Sequence, residues 1–495
     1  MPVQNTWLLG GVTVLFAVCV SRCSSSVALT DGDTTLRWAP APSPLMTRWA
    51  KDVNPALAPE YPRPMLVRPA TTWAHLNGLW EVDINATDLQ SPPFGVKLAR
   101  EILVPFPVEA PLSGIRKLPP FFTMWYRRML PTHSCGPDRT LLHFEAVDWN
   151  TTVYVNRQLV GSHIGGYDEF TFDISQALAS SAGQGNELLV GVIDPTAGVK
   201  GKQRRSAMTD PHGITYTSSS GIWGTVWLEC VPSVASIEDV VPITLDDRSG
   251  FSIEISVRGQ QPAFQHHAVQ VTLHGPDTRG CADTTRQQPV VEAGPTIVKI
   301  QIASACRMLW SPKMPFLYNL TINLVDNSSA ISVIDSVASY AGLRTYTVGN
   351  DGTGTFRPLL NGRFVYQMAT LDQGFWPDGN YAAPTDVALR SDLEAHKQLG
   401  FNAVRKHQKV ETRRWYHHAD VLGLMVWQDM PCCADDTFPT QLSNIVRKRR
   451  MHPSIVQYVC ASRVRACQLC LSLRRSLYRT DPTGLLAGVL PSYVV

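Results

Sequence analysis

Polar residues with useful chemistry follow three short apolar runs in the last third of this 495-residue chain. They are Asp372 and Trp376 after the first run, Lys406 and His407 after the second, and Gln428 and Asp429 after the third. Carboxylates and imidazoles can hydrogen-bond to the hydroxyl groups of a ligand, and an indole can stack on an apolar ligand face. We predict that Asp372, Trp376, His407 and Asp429 line a substrate pocket. Each could instead have a structural role: Asp429 as an ordinary loop acid, His407 as a hydrogen-bonded loop residue and Trp376 as a packed side chain.

Strands and helices alternate around these residues. Predicted strands at Phe364–Met368, Ala403–Arg405, Leu424–Trp427 and Ile455–Val459 alternate with predicted helices at Thr385–Leu399, Glu411–Leu422 and Gln441–Arg450. Gly400 and Gly423 mark the ends of the first two helices. Such repeats form parallel sheets, and in β/α barrels the chemistry lies at the C-terminal ends of the strands.

The residues before this β/α segment are predicted to form two β-rich blocks. Short β-type runs separated by turn residues extend from Leu76 to Glu229, and their spacing predicts a β-sandwich or jelly roll. A second block of about 110 residues, from Pro232 to Arg344, fits an immunoglobulin-like sandwich. We expect no helix of more than three turns between residues 100 and 230.

Motifs in these blocks are similar to those of glycoside hydrolase family 2, which contains β-galactosidases, β-glucuronidases and β-mannosidases. The matching stretches include Leu76–Trp80 (LNGLW), Ile102–Ile115 (ILVPFPVEAPLSGI), Ala146–Asn156 (AVDWNTTVYVN), Gly221–Leu228 (GIWGTVWL), Gly400–His407 (GFNAVRKH), Val426–Pro431 (VWQDMP) and His452–Ile455 (HPSI). Each motif is a modest signal. Their common order over residues 76–458 carries the resemblance.

The resemblance implies a multidomain β plus α/β fold. Its expected parts are a signal peptide at 1–28, a linker or loose wrap at 29–64, a jelly-roll sugar-binding domain at 65–231, an immunoglobulin-like β-sandwich at 232–345, a partial (β/α)8 TIM barrel at 346–459 and a tail outside the family pattern at 460–495. It also implies retaining hydrolysis of a β-glycoside, with sugar hydroxyls bound by the predicted pocket residues. Neither a cofactor nor a metal is expected.

Retaining hydrolysis requires two carboxylates about 5 Å apart, one as general acid/base and one as nucleophile. The family's acid/base glutamate follows the HPSI segment at a fixed interval, and counting from His452 reaches Arg463. An arginine, with a pKa above about 12, cannot donate a proton at neutral pH. The nucleophile comes from a later strand and has no counterpart before Val495. We therefore expect this chain to be inactive.

The family pattern stops abruptly after Tyr458. The stretch Cys460–Val495 contains one acidic residue, Asp481, and no recognisable barrel unit. A shifted reading frame, a retained intron or a faulty gene model explains this better than a functional pseudoenzyme does.

Several features predict export to the extracellular space or the endomembrane lumen. An apolar run at Trp7–Val20 is followed by small residues, and its 14 residues are fewer than the about 20 that a membrane anchor needs. Sequons begin at Asn85, Asn150, Asn319 and Asn327, which we predict to be glycosylated. Nine cysteines remain beyond the leader, an odd number. Cys467 and Cys470 form a lone C-x-x-C without a second pair, which is weak evidence for metal.

Composition excludes polyanionic partners, because the net charge is only +3. The expected partner is a carbohydrate, with no nucleic acid and no membrane after signal cleavage. Two other functions remain open: a non-catalytic carbohydrate-binding protein and a purely structural or adhesive sandwich protein.

Overall fold

The computed structural model describes residues 38–131, 135–179, 185–195, 216–259, 263–277, 280–431 and 438–459. The predicted signal peptide, Arg463, the Cys467/Cys470 pair and the tail at 460–495 lie outside these ranges. The architecture is mostly β with a parallel β/α segment at the end, as the sequence predicts.

A two-sheet β-sandwich comes first. Its strands are β1 (Trp73–His75), β2 (Gly78–Ala86), β3 (Arg100–Val104), β4 (Thr123–Met129), β5 (Arg139–Phe144), β6 (Val147–Asp148), β7 (Asn150–Val155), β8 (Gln158–Ile164), β9 (Phe170–Asp173), β10 (Glu187–Ile193), β11 (Gly221–Ile222) and β12 (Val226–Val231). The two main sheets have the orders β1-β12-β5-β9 and β3-β2-β4-β10-β7-β8, while β11 pairs with β6. Burial alternates along β2, so Trp80, Val82 and Ile84 point into the core.

The α-helix described between residues 100 and 230 is α1 (Ser175–Ala179), which has five residues, and a three-residue 3-10 helix lies at Pro111–Ser113. None of the described helices is long and apolar enough to cross a membrane.

A second antiparallel sandwich follows. Its strands are β13 (Ala235–Thr244), β14 (Gly250–Gly259), β15 (His267–Leu273), β16 (Thr284–Pro289), β17 (Thr296–Gln301), β18 (Tyr318–Asp326) and β19 (Ser332–Ala341), in sheets β13-β14-β17 and β16-β15-β18-β19. Alternation along β17 buries Val298 and Ile300. One disulfide joins Cys281 to Cys306 in this sandwich, and another joins Cys135 to Cys230 in the first.

The last part carries the parallel sheet. After the hairpin strands β20 (Tyr346–Asn350), β21 (Phe356–Leu360) and β22 (Arg363–Phe364) come β23 (Ala369–Asp372), α2 (Asp386–Gln398), β24 (Ala403–Lys406), α3 (Arg413–Leu422), β25 (Met425–Asp429), α4 (Phe438–Arg449) and β26 (Ile455–Val459). The order β23-β24-β25-β26 follows the chain, and every pair is parallel. Thr385 caps α2 by accepting a hydrogen bond from the Ala388 N–H.

The predicted first barrel strand, Phe364–Met368, is wrong. Phe364 belongs to the preceding hairpin, and the parallel strand is β23. The side chain of Asn402 accepts from the Met368 N–H and donates to the Tyr366 carbonyl, which holds this stretch outside the sheet. The apolar pattern predicted the wrong residues because β23 is an edge strand, and such a strand need not be buried. Its Leu371 is 57% exposed.

Residues 38–64, expected as a linker or loose wrap, have specific contacts with distant parts of the chain. The N–H and Oγ1 of Thr47 donate to Asp378, which precedes α2, at 2.8 and 2.6 Å. Arg63 forms a buried ion pair with Glu229 on β12. This segment therefore connects the first sandwich to the parallel sheet.

One buried carboxylate joins the second sandwich to the parallel sheet. Asp420 on α3 accepts hydrogen bonds from Tyr340 on β19 at 2.7 Å and from the Ser454 N–H at 2.9 Å. Its Oδ2 lies 2.7 Å from Nδ1 of His452, and both side chains are fully buried. Because burying an unpaired charge is costly, the buried position of Asp420 depends on these partners.

Hydrogen exchange is expected to be faster in β23 than in β25. Strand β23 pairs on one side with β24 and is half exposed, whereas β25 lies between two strands and is mostly buried. Amide exchange followed by mass spectrometry measures this. Equal protection of the two strands would contradict the expectation.

Asp420→Asn is expected to lower the free energy of unfolding by about 3 kcal/mol, because the change leaves His452 and Tyr340 without their buried anion. The matched control is Asp246→Asn at an exposed position, with an expected change within about 0.5 kcal/mol. Urea unfolding of both variants provides the comparison. Similar urea midpoints for the two variants would show that Asp420 does not stabilise the junction between the second sandwich and the parallel sheet.

Candidate functional site

The predicted polar residues meet at the C-terminal ends of the parallel strands. The strand register places Asp372 beside Lys406, and Lys406 beside Gln428. Asp372 accepts a hydrogen bond from Lys406 Nζ at 2.7 Å and from the Gly374 N–H at 2.7 Å. Two consecutive strands thus end in a linked pair of opposite charges.

Glu411 extends this pair into a buried network. Its Oε1 lies 2.7 Å from Lys406 Nζ and 2.8 Å from Lys409 Nζ. Lys409 Nζ also donates to the carbonyls of Gly374 and Tyr381, both at 2.8 Å. Two buried ammonium groups therefore share one carboxylate, which sits in the loop between β24 and α3.

Electrostatics explains how these charges remain buried. Burial opposes ionisation of both lysines, but Asp372 and Glu411 outweigh it at Lys406 and raise the pKa of that residue. At Lys409 burial dominates, and its pKa is lowered. Burial likewise favours the neutral form of Asp372, yet Lys406 holds the Asp372 pKa below its usual range. Asp372 is therefore an ionised hydrogen-bond acceptor at neutral pH.

Asp429, at the end of β25, is held by an arginine. Arg405 Nε and Nη2 donate to its two carboxylate oxygens at 3.0 and 2.9 Å. Burial still raises the Asp429 pKa, against the opposing effect of Arg405. The Arg405 side chain is one-third exposed, whereas the Asp429 side chain is buried.

His407 lies beside this pair. Its Nδ1 is 2.8 Å from Nε2 of Gln373. Since an amide nitrogen can only donate, Nδ1 accepts, and the proton of the neutral ring lies on Nε2, 4.0 Å from Asp429. Gln373 Oε1 accepts from the hydroxyl of Tyr216, whose ring stacks on Phe375 at 4.1 Å.

Trp376 occupies the loop between β23 and α2. Its backbone N–H and carbonyl exchange hydrogen bonds with Asn380 at 2.8 and 2.9 Å, which closes the turn. The indole is half-buried, and no aromatic ring in the described part of the chain stacks on it. Trp376 thus lies in the same loop as Gln373 and Phe375.

This arrangement suits hydroxyl binding better than proton transfer. Asp372, Asp429 and His407 present oxygen and nitrogen atoms from three adjacent strand ends. Each carboxylate is already paired with a cation. Asp372, whose pKa is lowered, is a poor proton donor. Asp429, whose pKa is raised by burial, has both oxygens hydrogen-bonded to Arg405. Among the described residues, no group of three or more His, Cys, Asp or Glu side chains is arranged to hold a metal ion.

Sequence reasoning missed Arg405, Glu411 and Gln373. Glu411 was assigned to helix α3, but this helix begins at Arg413. The clustered charges in Arg405–Glu411 (RKHQKVE) were the available signal, since such a run after an apolar strand must be internally neutralised if it is buried.

The predicted glycosylation positions differ in exposure. Asn85, Asn319 and Asn327 are exposed, whereas Asn150, in β7, is half-buried. Their modification remains a prediction.

Comparison with known proteins gives a consistent family. The model for "Glycosyl hydrolases family 2" matches residues 235–344. The chain is 26% identical to a putative β-glucuronidase of Formosa agariphila over 349 residues, covering 67% of this chain and 39% of that protein. It is 24% identical to a β-galactosidase of Thermoanaerobacter pseudethanolicus, covering 68% and 44%. The chain thus spans less than half the length of these relatives.

Solved structures share the fold. The β-glucuronidase of Bifidobacterium dentium has a TM-score of 0.67 at 18% identity, covering 84% of this chain and 74% of that one. A Ruminococcus gnavus β-glucuronidase has a TM-score of 0.66 at 18% identity, covering 86% and 74%.

Glu411→Gln is expected to lower the free energy of unfolding by about 3 to 5 kcal/mol, because it leaves two buried lysines with one remaining carboxylate. The control is Glu394→Gln, which breaks a helical ion pair whose side chains are about 40% exposed and should cost less than about 0.5 kcal/mol. Urea midpoints of both variants measure the difference. If the two shifts are alike, Glu411 does not hold the network together.

Proposed function

We propose that this chain, which resembles glycosyl hydrolase family 2, recognises a β-glycoside at the C-terminal ends of β23, β24 and β25. The reaction class that belongs to this proposal is retaining hydrolysis of O-glycosyl bonds. The observation that carries the proposal is the convergence of Asp372, His407 and Asp429 at three adjacent strand ends, where barrel enzymes bind their substrates.

Each predicted pocket residue has a role in this proposal. Asp372 and Asp429 accept hydrogen bonds from sugar hydroxyls through lone pairs that their cations leave open. His407 donates from Nε2, and Trp376 stacks on an apolar sugar face. The ion pairs with Lys406 and Arg405 fix the two carboxylates, so little side-chain entropy is lost when a sugar binds.

A neutral sugar fits this surface better than a uronic acid does. Arg405, Lys406 and Lys409 each lie within 3.0 Å of a carboxylate oxygen, so each is already neutralised. A sugar carboxylate at this end of the sheet would have to compete with Asp372, Glu411 or Asp429 for its counter-ion.

Cleavage requires two more groups. The position that the family pattern assigns to the acid/base is Arg463, and the described carboxylates at the strand ends are both bound to cations. We therefore expect this polypeptide to bind the sugar without cleaving it. The second candidate, a non-catalytic carbohydrate-binding protein, is favoured by the same occupied carboxylates.

Export to the extracellular space or the endomembrane lumen belongs to the proposal. Two disulfides occur in the described residues, and such bonds persist mainly in oxidising compartments. The exposed sequons at Asn85, Asn319 and Asn327 fit the same compartment.

The purified chain is expected to release no nitrophenol above background from nitrophenyl β-galactoside, β-glucuronide or β-mannoside, since Arg463 cannot protonate the leaving oxygen. Turnover that Asp372→Asn or Asp429→Asn abolishes would overturn this expectation.

Binding should nevertheless be measurable by calorimetry with a non-hydrolysable β-thiogalactoside. Asp429→Asn is expected to weaken it roughly tenfold, the equivalent of one hydrogen bond to a charged group. The control is Asp246→Asn, which is exposed and does not lie at the strand ends. Absence of sugar binding would leave the structural or adhesive function in its place.

A further inference from the structure

A separate cavity of about 450 Å³ lies between residues 38–64, the first sandwich and the starts of α2 and α3. Its volume is in the range of small-molecule sites, about 300 to 1,000 Å³. Asp372, Trp376, His407 and Asp429 do not line it. It is therefore distinct from the proposed sugar site, and an inference about it does not depend on glycosidase activity.

The apolar walls of the cavity are aromatic and firmly held. Trp223 and Tyr381 are almost fully buried, with ring centroids 5.3 Å apart. The Trp223 indole donates to the Gly166 carbonyl at 2.9 Å, and the Tyr381 hydroxyl is 2.9 Å from that of Tyr167. Phe106 and Trp49 add two more rings. A ligand body would meet a preformed surface.

The charged residues of the lining are mostly acidic: Asp52, Glu60, Glu145, Asp386 and Glu411, against one cation, Arg414. Arg414 binds Asp386 through two hydrogen bonds, and Glu411 is held by Lys406 and Lys409. Asp52 and Glu60 are exposed, whereas Glu145 is buried. The cavity therefore has an acidic rim and two buried carboxylates, of which Glu411 is paired with lysines and Glu145 is not.

Glu145 is partnered by backbone groups. Its oxygens accept from the Thr225 N–H at 3.2 Å and the Arg413 N–H at 3.3 Å, and no cation in the described ranges forms an ion pair with it. Burial raises the Glu145 pKa to about 7, despite these two hydrogen bonds. A buried carboxylate that lines a cavity with aromatic walls and has no direct ion pair with a described lysine or arginine is the electrostatic complement of a cation.

We infer that this cavity binds a small organic cation with an apolar body, whose charge faces Glu145 and whose body contacts Trp223 and Tyr381. The acidic rim attracts the ligand, and Asp386 neutralises the single arginine of the lining. Lys409 Nζ, which lies 5.5 and 5.2 Å from the ring centroids of Trp223 and Tyr381, is paired with Glu411. An anionic ligand would be repelled by the exposed Asp52 and Glu60 and by ionised Glu145, and an uncharged one would gain no charge interaction with Glu145.

This assignment gives a pH dependence with a definite sign. The other charged groups near Glu145 are Glu169 on the first sandwich, Arg413 and Arg414 on α3, and Arg449 on α4. Protonated Glu145 carries no charge, so the affinity for a permanent cation should rise as pH passes upward through about 7. We expect a gain of roughly tenfold between pH 5.5 and pH 8.

The test uses the full chain and benzyltrimethylammonium, which is charged at every pH, with benzyl alcohol as the neutral comparison. Calorimetry should show saturable binding of the cation and at least tenfold weaker binding of the alcohol. Glu145→Gln should weaken cation binding about tenfold and remove its pH dependence. Glu101→Gln, an exposed change outside the cavity, should leave both unchanged.

A second variant protects the test against misfolding of Glu145→Gln. Asp52→Asn combined with Glu60→Gln alters exposed rim residues and should weaken cation binding at low salt, with less effect at high salt. The inference is overturned if neither probe binds or if benzyl alcohol binds as tightly as the cation. It is also overturned if the affinity for the cation depends neither on pH nor on the rim charges.

Discussion

Two lysines buried side by side need an anion between them, and the end of the parallel sheet is organised around that need. Without Glu411, Lys406 and Lys409 would be two like charges with Asp372 as their remaining carboxylate. With it, the loop after β24 is fixed to the loop after β23 through Gly374 and Tyr381. The positions of the proposed sugar-binding residues follow, because Asp372 is oriented by Lys406, and His407 lies next to Lys406 in the chain.

Buried carboxylates also hold the first sandwich against the parallel sheet. Glu169 and Glu145 both reach Arg413 at the start of α3, but in different ways. Glu169 binds the guanidinium, and Arg413 together with Lys448 outweighs burial and keeps the Glu169 pKa low. Glu145 accepts the backbone N–H of the same residue, at the positive end of the helix. Thr412, the N-cap of α3, makes no side-chain capping bond, so a carboxylate from another domain supplies one.

The sequence predicted what depends on periodicity and chain order. Helices α2 and α3 lie within two residues of their predicted bounds, and β26 coincides with the predicted strand. It did not predict contacts between residues far apart in the chain, such as Glu411 in the network or Arg405 on Asp429. The strand β23 was misplaced because an exposed edge strand need not be apolar. Residues 38–64 show no period at all, and their order comes from partners such as Asp378, 331 positions away from Thr47.

The attachment of residues 38–64 bears on how such a protein can be inherited. A domain that needed no residues ahead of its first strand could be moved between genes by recombination and still fold. Here the residues ahead of β1 satisfy Glu229 in one domain and Asp378 in another. A genetic exchange with a breakpoint near residue 65 would separate both carboxylates from these partners. We therefore expect the first sandwich, its leading segment and the parallel sheet to be inherited together.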